Sequence, residues 1–219
     1  MRKRALIVFG GWDGHDPVGI SDLFGSMLEN DGFEVVKSDT TVAFESEDLS
    51  TFDLLVPHWT MGKISPTQSQ AACAAVREHG VGIAGAHGGM CDAFREDSEW
   101  QFMTGGQFVA HPGNDGTPYT VHVVDTTHQI ISGVSDFQVA SEQYYMHVDP
   151  GLHILADCAF PNPAADGPHT ENPCRMPTIW TKKYGLGRVF YNALGHQRNV
   201  LEAEPVKDIM RRGFLWAAR

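Results

Sequence analysis

"VGIAGAHGGMCDAF", residues 81–94, joins an apolar run to a turn of small residues. The apolar run "VGIAGA" has the composition of a strand buried on both faces of a parallel sheet. It stops at a turn of small residues with one histidine, His87, at its tip, and helix-forming residues follow. A sharp strand-to-helix corner pushes its tip residue out of the sheet and into whatever site lies there. Its neighbours must be small because the turn is crowded, and the first amides of the next helix face the ligand. In many α/β enzymes the tip is a Ser or Cys nucleophile. An imidazole there cannot carry acyl transfer of the Cys–His kind, and Cys91 lies a full turn past the corner.

Working outward, the chain alternates strand and helix. "RALIVFGG" is a buried strand. "PVGISDLFGSMLENDG" is a helix with Pro17 near its start and Gly32 as its stop. "FEVVKSD" is a second strand, and "FDLLVPHW" a third that ends at Pro57 and His58. In "SPTQSQAACAAVREHG" Ser65 caps a helix, Pro66 fits its first turn and Gly80 ends it. The β-α-β-α-β order predicts an α/β fold, a mostly parallel central sheet with helices on both faces. Ligands of such sheets bind beyond the carboxyl ends of the strands. That rule puts the "GGWDGHDP" loop, His58-Trp59 and His87 on one rim.

The second half is less regular. "EDSEWQFMTGGQFVAHPGNDGTP" reads as a short helix followed by a long loop. "YTVHVVD", "FQVASEQYYMHVDP" and "LHILADCAF" read as strands, and the "PNPAADGPHTENPCR" segment as a surface loop. "MPTIWTKKYGLGRVFYNALGH" is a hairpin turning at "KYGLG" and ending at Gly195-His196. "EPVKDIMRRGFLWAA" is a closing amphipathic helix. With no repeat and no linker, residues 1–219 form one expected domain.

Composition narrows the function. The formal net charge is −11 over 219 residues. That excludes nucleic acid and anionic membrane surfaces as main partners, which need clustered Lys and Arg. No apolar run reaches spanning length. The four cysteines form no CxxC pair, as expected of reduced thiols in a cytoplasmic protein. Eleven histidines are many for this length, and several sit beside Gly, Pro or aromatic residues.

Two chemistries suit the histidines. His196, at the end of another strand, is placed to meet His87. Metal ligation would use His87, His196 and Glu142 or His111, with zinc or another divalent cation. General acid–base catalysis would use the same imidazoles and carboxylate. Trp12, Asp13 and His15 suit a sugar, since aromatic faces stack on pyranoses and Asp accepts from hydroxyls; His58 and Trp59 repeat the theme. In "EQYYMHVD", alternation puts Glu142, Tyr144 and Met146 on one face and Gln143, Tyr145 and His147 on the other. Either Glu142 or His147 then faces the pocket. Cys91 shares a helix face with His87 but reads as a buried thiol.

The stretches "VFGGWDGHDP", "VPHWTMGKI", "GIAGAHGGMCDAFREDSEWQFMTGGQFVAHPGN", "SEQYYMHVDP" and "MPTIWTKKYGLGRVFYNALGH" together resemble the ThuA trehalose-utilisation family, nearly from end to end. The resemblance implies a flavodoxin-like, class I glutamine amidotransferase-like fold in which His87 replaces the amidotransferase cysteine. It further implies breakdown of disaccharides beside an NAD-dependent sugar oxidoreductase, through 3-keto derivatives. Carried over by motif, the polar positions are His87, His111, Glu142 and His196, with Tyr184 and Arg188 as turn and packing residues. Trp12, Asp13, His15, His58, Trp59, Tyr144 and His147 are the candidates to bind the sugar. The expectation is an enzyme of hydrolase, lyase or isomerase type acting on a disaccharide or keto-disaccharide; the alternative is a non-catalytic sugar-binding subunit of the oxidoreductase. A homo-oligomer is the expected assembly.

Overall fold

In the computed structural model, which describes residues 2–219, the strands run in chain order as β1 (Arg4–Gly11), β2 (Glu34–Ser38), β3 (Leu54–Thr60), β4 (Gly82–Ala86), β5 (Gly106–Ala110), β6 (Pro118–Val123), β7 (Phe137–Ala140), β8 (Tyr145–Val148), β9 (His153–Phe160), β10 (Cys174–Tyr184) and β11 (Gly187–Asn192). The helices are α1 (Pro17–Asn30), α2 (Ala43–Ser46), α3 (Pro66–His79), α4 (Gly88–Cys91), α5 (Ser98–Thr104), α6 (Arg198–Glu202) and α7 (Val206–Ala217).

Nine strands make one sheet in the order β2-β1-β3-β4-β11-β10-β9-β6-β7. The first five are parallel, in the order typical of flavodoxin-like folds. From β11 onward the pairing is antiparallel. Helices flank the sheet in two groups. α1 and α7 meet through Phe24 and Phe214, whose ring centroids are 5.1 Å apart. On the other side α2 and α5 meet through Phe44 and Trp100, at 5.9 Å, with α3 against both. The strands between them are dry: Ala5, Leu6, Ile7, Leu54, Leu55, Val56 and Ile83 are fully buried.

Local chemistry sets the ends of these elements. Ser65 Oγ accepts from the Gln68 amide and Gln68 Oε1 accepts from the Ser65 amide, both at 3.2 Å. Such a capping box stabilises a helix by about 1 kcal/mol. β3 runs on through Thr60, past the end expected at His58; its ladder to β4 stops at Leu55, so the missing N–H of Pro57 interrupts nothing there. α7 buries Val206, Ile209, Met210, Gly213, Phe214 and Ala217, a stripe at helical spacing.

Two segments depart from the sequence reading. "GQFVA", expected inside a long loop, is β5, paired with β8 in a separate two-stranded ribbon. The continuous strand expected over "FQVASEQYYMHVDP" is broken at residues 141–144 into β7 on the large sheet and β8 on the ribbon. Buried polar groups enforce the break, because each must find a partner. The Ser141 amide donates to the Thr117 carbonyl at 3.1 Å. The Gln143 amide group donates to the Ala159 carbonyl at 2.7 Å and its Oε1 accepts from the Asn162 amide at 2.9 Å. Glu142 is thereby turned inward. Cys73, Cys91, Cys158 and Cys174 are all free. Among the described residues no helix is long and apolar enough to cross a membrane.

Candidate functional site

The corner at His87 has the backbone of a strained elbow, φ 49° and ψ −142°. A residue with a side chain holds such angles only where its surroundings over-determine them, at a cost of about 1–3 kcal/mol. Here the His87 amide donates to the Asn192 carbonyl at 2.7 Å. The Tyr191 hydroxyl donates to the His87 carbonyl at 3.0 Å. Nδ1 of the ring donates to the Ala193 carbonyl at 2.7 Å. The end of β11 thus clamps both backbone and side chain.

The small residues of "GAHGG" now have a reason. A Cβ on Gly85 would lie 2.8 Å from Met90 Cβ and 3.1 Å from the Pro57 carbonyl oxygen. One on Gly88 would lie 2.5 Å from Cε1 of His15, and one on Gly89 2.2 Å from Nδ1 of His58. The glycines after the tip make room for two further imidazoles.

His15, in the turn after β1, packs its ring edge-on against His87 at 4.8 Å and His196 at 5.0 Å. Its Nδ1 is 2.8 Å from Thr60 Oγ1 at the end of β3. His196, just past β11, sets Nδ1 3.2 Å from Glu142 Oε2. The same oxygen is 3.1 Å from His87 Nε2, and Glu142 Oε1 is 3.6 Å from His111 Nε2. One carboxylate therefore gathers three imidazoles, with His15 behind them. His15, His87, Glu142 and His196 are all buried, whereas the His111 side chain is 37% exposed. Trp12 is 46% exposed, its ring 4.8 Å from that of His15. Tyr144 stacks on His87 at 3.9 Å, and the Tyr119 hydroxyl fixes the Glu142 backbone by donating to its carbonyl at 3.0 Å.

Burial sets the charge states. Desolvation, reinforced by its histidine neighbours, lowers the His15 pKa to about 2. Desolvation also lowers His87, against the pull of Glu142. Burial alone would raise the Glu142 carboxyl, but the imidazoles of His196 and His87 beside it outweigh that and hold the group below the ordinary carboxylate range. The Glu142 carboxylate, 3.2 Å from Nδ1, raises His196. The site holds an anion ringed by neutral imidazoles, with His196 the one most ready to carry a proton.

The structure thus brings together His87, His111, Glu142, His196, Trp12, His15 and Tyr144. The remaining candidates have other surroundings. His58 is buried one layer behind, Nε2 donating to the His15 carbonyl at 3.1 Å, and so braces His15. Trp59 packs against Phe94 at 6.5 Å. Asp13 is exposed in the turn after β1. His147 is exposed on β8, paired in register with Gln107, so of the two it is Glu142 that faces inward. The residues sequence reasoning passed over are Thr60, Tyr119, the Ala193 carbonyl and Asp115, whose Oδ2 is 3.9 Å from His196 Nε2. Asp115, four residues after His111, was the one with a visible signal; the others act through backbone atoms or hydroxyls that any strand end carries.

Comparison with solved structures shows the same fold at low identity. A ThuA-like protein of Parabacteroides merdae superposes with a TM-score of 0.79 at 17% identity, over 99% of this chain and 90% of that one. A cytoplasmic protein of Salmonella typhimurium LT2 superposes at 0.69 with 12% identity, over 99% and 100%. A glutamine amidotransferase of Thermotoga maritima superposes at 0.52 with 11% identity, over 99% and 96%. No curated protein matches the sequence. The sequence profile of ThuA, described as trehalose utilisation, matches residues 4–217. The chain belongs to the ThuA family and has the class I glutamine amidotransferase-like fold.

Proposed function

We propose that the protein acts on a disaccharide or its 3-keto derivative, at the cluster where His87, His196 and His111 surround Glu142. The observation that carries this reading is the shared carboxylate: three imidazole nitrogens lie within 3.6 Å of its two oxygens, on the rim beyond the parallel strands. A ketone acidifies its α-hydrogen, so a positioned base and acid suffice for elimination, hydrolysis or isomerisation. His111 is the partly exposed imidazole of the group and exchanges protons with a bound sugar. His196, whose basicity the neighbouring Glu142 raises, is the group placed to protonate the departing or developing oxygen. Trp12 offers the apolar face against which a pyranose stacks. The family's description supports a carbohydrate, and no thiol or hydroxyl nucleophile stands at the elbow to support glutamine hydrolysis. On this reading the protein works beside an NAD-dependent sugar oxidoreductase in the cytoplasm, in keeping with its four free thiols.

The test is to incubate the purified protein with 3-keto-trehalose, without nicotinamide, and follow products by NMR. Turnover by the native protein and a loss of about 10²-fold or more in Glu142→Gln is expected. Unchanged substrate, with tight binding to the oxidoreductase, would replace this reading with that of an accessory subunit.

A further inference from the structure

The ligand atoms of His15, His87, Glu142 and His196 lie within 4.8 Å of one another, and all four residues are buried. Their hydrogen-bond pattern leaves this pocket with more lone pairs than protons. The Ala193 carbonyl can only accept, so Nδ1 of His87 carries the hydrogen and a neutral ring aims its Nε2 lone pair at Glu142 Oε2, 3.1 Å away. Two acceptors facing each other in a dry pocket repel unless something positive lies between them. His15 repeats the pattern: Thr60 engages Nδ1 and leaves Nε2 free. Nδ1 of His196 is buried, has no hydrogen-bond partner, and sits 3.2 Å from the same carboxylate oxygen. One added proton can satisfy one ring, not three. Charging several imidazoles at ring separations of 4.8–5.6 Å adds mutual repulsion.

We propose that His15, His87, His196 and Glu142 hold one divalent transition-metal cation. Three imidazoles and a carboxylate are the donor set of zinc and its first-row neighbours, whereas magnesium and calcium favour all-oxygen shells. The outer partners that orient ligating histidines are in place on two of the three rings: the Ala193 carbonyl on His87 and Thr60 on His15. The set differs from the one expected from sequence. His15 takes the place of His111, whose half-open ring remains outside against Phe108. An open coordination position toward Trp12 and His111 would take a sugar carbonyl or hydroxyl oxygen. This inference rests on the reading of the cluster as the working site, but occupancy is measured with no sugar present, so either can fail alone.

The experiment strips the full-length protein with a chelator. It then titrates it with zinc chloride by calorimetry and with Co²⁺ by visible absorption. One equivalent should bind, raise the melting temperature and give the intense Co²⁺ bands of a four- or five-coordinate site. His196→Ala and Glu142→Gln should weaken zinc at least tenfold, and the surface variant His122→Ala should not. Circular dichroism shows whether each variant is folded; should one unfold, the cobalt spectrum of the native protein still decides. Failure of the native protein to bind either ion at micromolar concentration overturns the proposal, as does binding that Glu142→Gln and His196→Ala leave intact. One equivalent bound without conversion of 3-keto-trehalose upholds the metal and sinks the enzymatic reading.

Discussion

Gly88→Ala tests the packing logic of the elbow. Gly88 opens α4 with ordinary helical backbone, so the methyl group meets only a question of space. Its Cβ would stand 2.5 Å from Cε1 and 2.7 Å from Nδ1 of His15, and 3.1 Å from Thr60 Cγ2. Comfortable contact between such atoms is about 3.5–4.0 Å, so the His15 ring must retreat by about 1 Å. It cannot retreat freely: Trp12, His87 and His196 surround it and Nδ1 is tied to Thr60 at 2.8 Å. Overpacking of this kind costs about 1–3 kcal/mol. For a chain of this size that is about 2–4 °C in Tm per kcal/mol. A displacement of about 1 Å in a catalytic constellation lowers turnover by about 10²-fold. The assay pairs scanning calorimetry with 3-keto-trehalose turnover. Gly25→Ala is the control, because a Cβ there meets nothing closer than 3.8 Å. It should be neutral or stabilise by up to about 1 kcal/mol. Native Tm and native turnover in Gly88→Ala would refute the argument that these glycines exist to seat imidazoles.

Other perturbations read different parts of the account. Burial lowers His58 to about 4, so between pH 6.5 and 4 the unfolded chain takes up a proton that the folded one refuses. The share of stability from His58 is present in full above pH 6.5 and is lost by about 1.4 kcal/mol per unit on acidification to pH 4; His58→Phe should make the acid limb shallower by that amount in urea titrations at several pH values, leaving the part that His15 and His87 contribute. Burial pushes the Cys73 thiol up to about 12 and raises Cys91 further, while Cys174 is exposed. Iodoacetamide at pH 8 should therefore label Cys174 first and the others only on unfolding, as peptide mass spectrometry would show. Trp12→Ala, at an exposed ring beside His15, should raise KM for the sugar on the order of tenfold, or 1.4 kcal/mol, with kcat largely kept.

The parallel half of the fold was legible because its signals are local: apolar runs, a capping box at Ser65, a glycine stop at Gly80. The convergence of His87 and His196 was legible for a related reason, since both follow strands that end on one rim. The ribbon of β5 and β8 was not. "GQFVA" carries no alternation of its own and becomes a strand only by pairing with residues nearly forty positions on. The break at residues 141–144 was hidden too, because it is imposed by partners on Thr117, Ala159 and Asn162. The packing of His15 against His87 and His196 follows from the turn after β1, whose tight geometry no spacing rule encodes. His58 looked like a rim residue and is a brace, because β3 continues past Pro57.

The central claim is that His15, His87 and His196 form one centre with Glu142 and that a sugar reaches it. Nitrogen-15 NMR of the histidine rings tests it most directly. In the free protein His87 should be the neutral tautomer protonated at Nδ1, as its bond to the Ala193 carbonyl requires. On addition of 3-keto-trehalose the ring signals of His15, His87 and His196 should move together, and those of His122, His128 and His153 should stay. Movement confined to these outlying histidines, with the three central rings silent, would contradict the account.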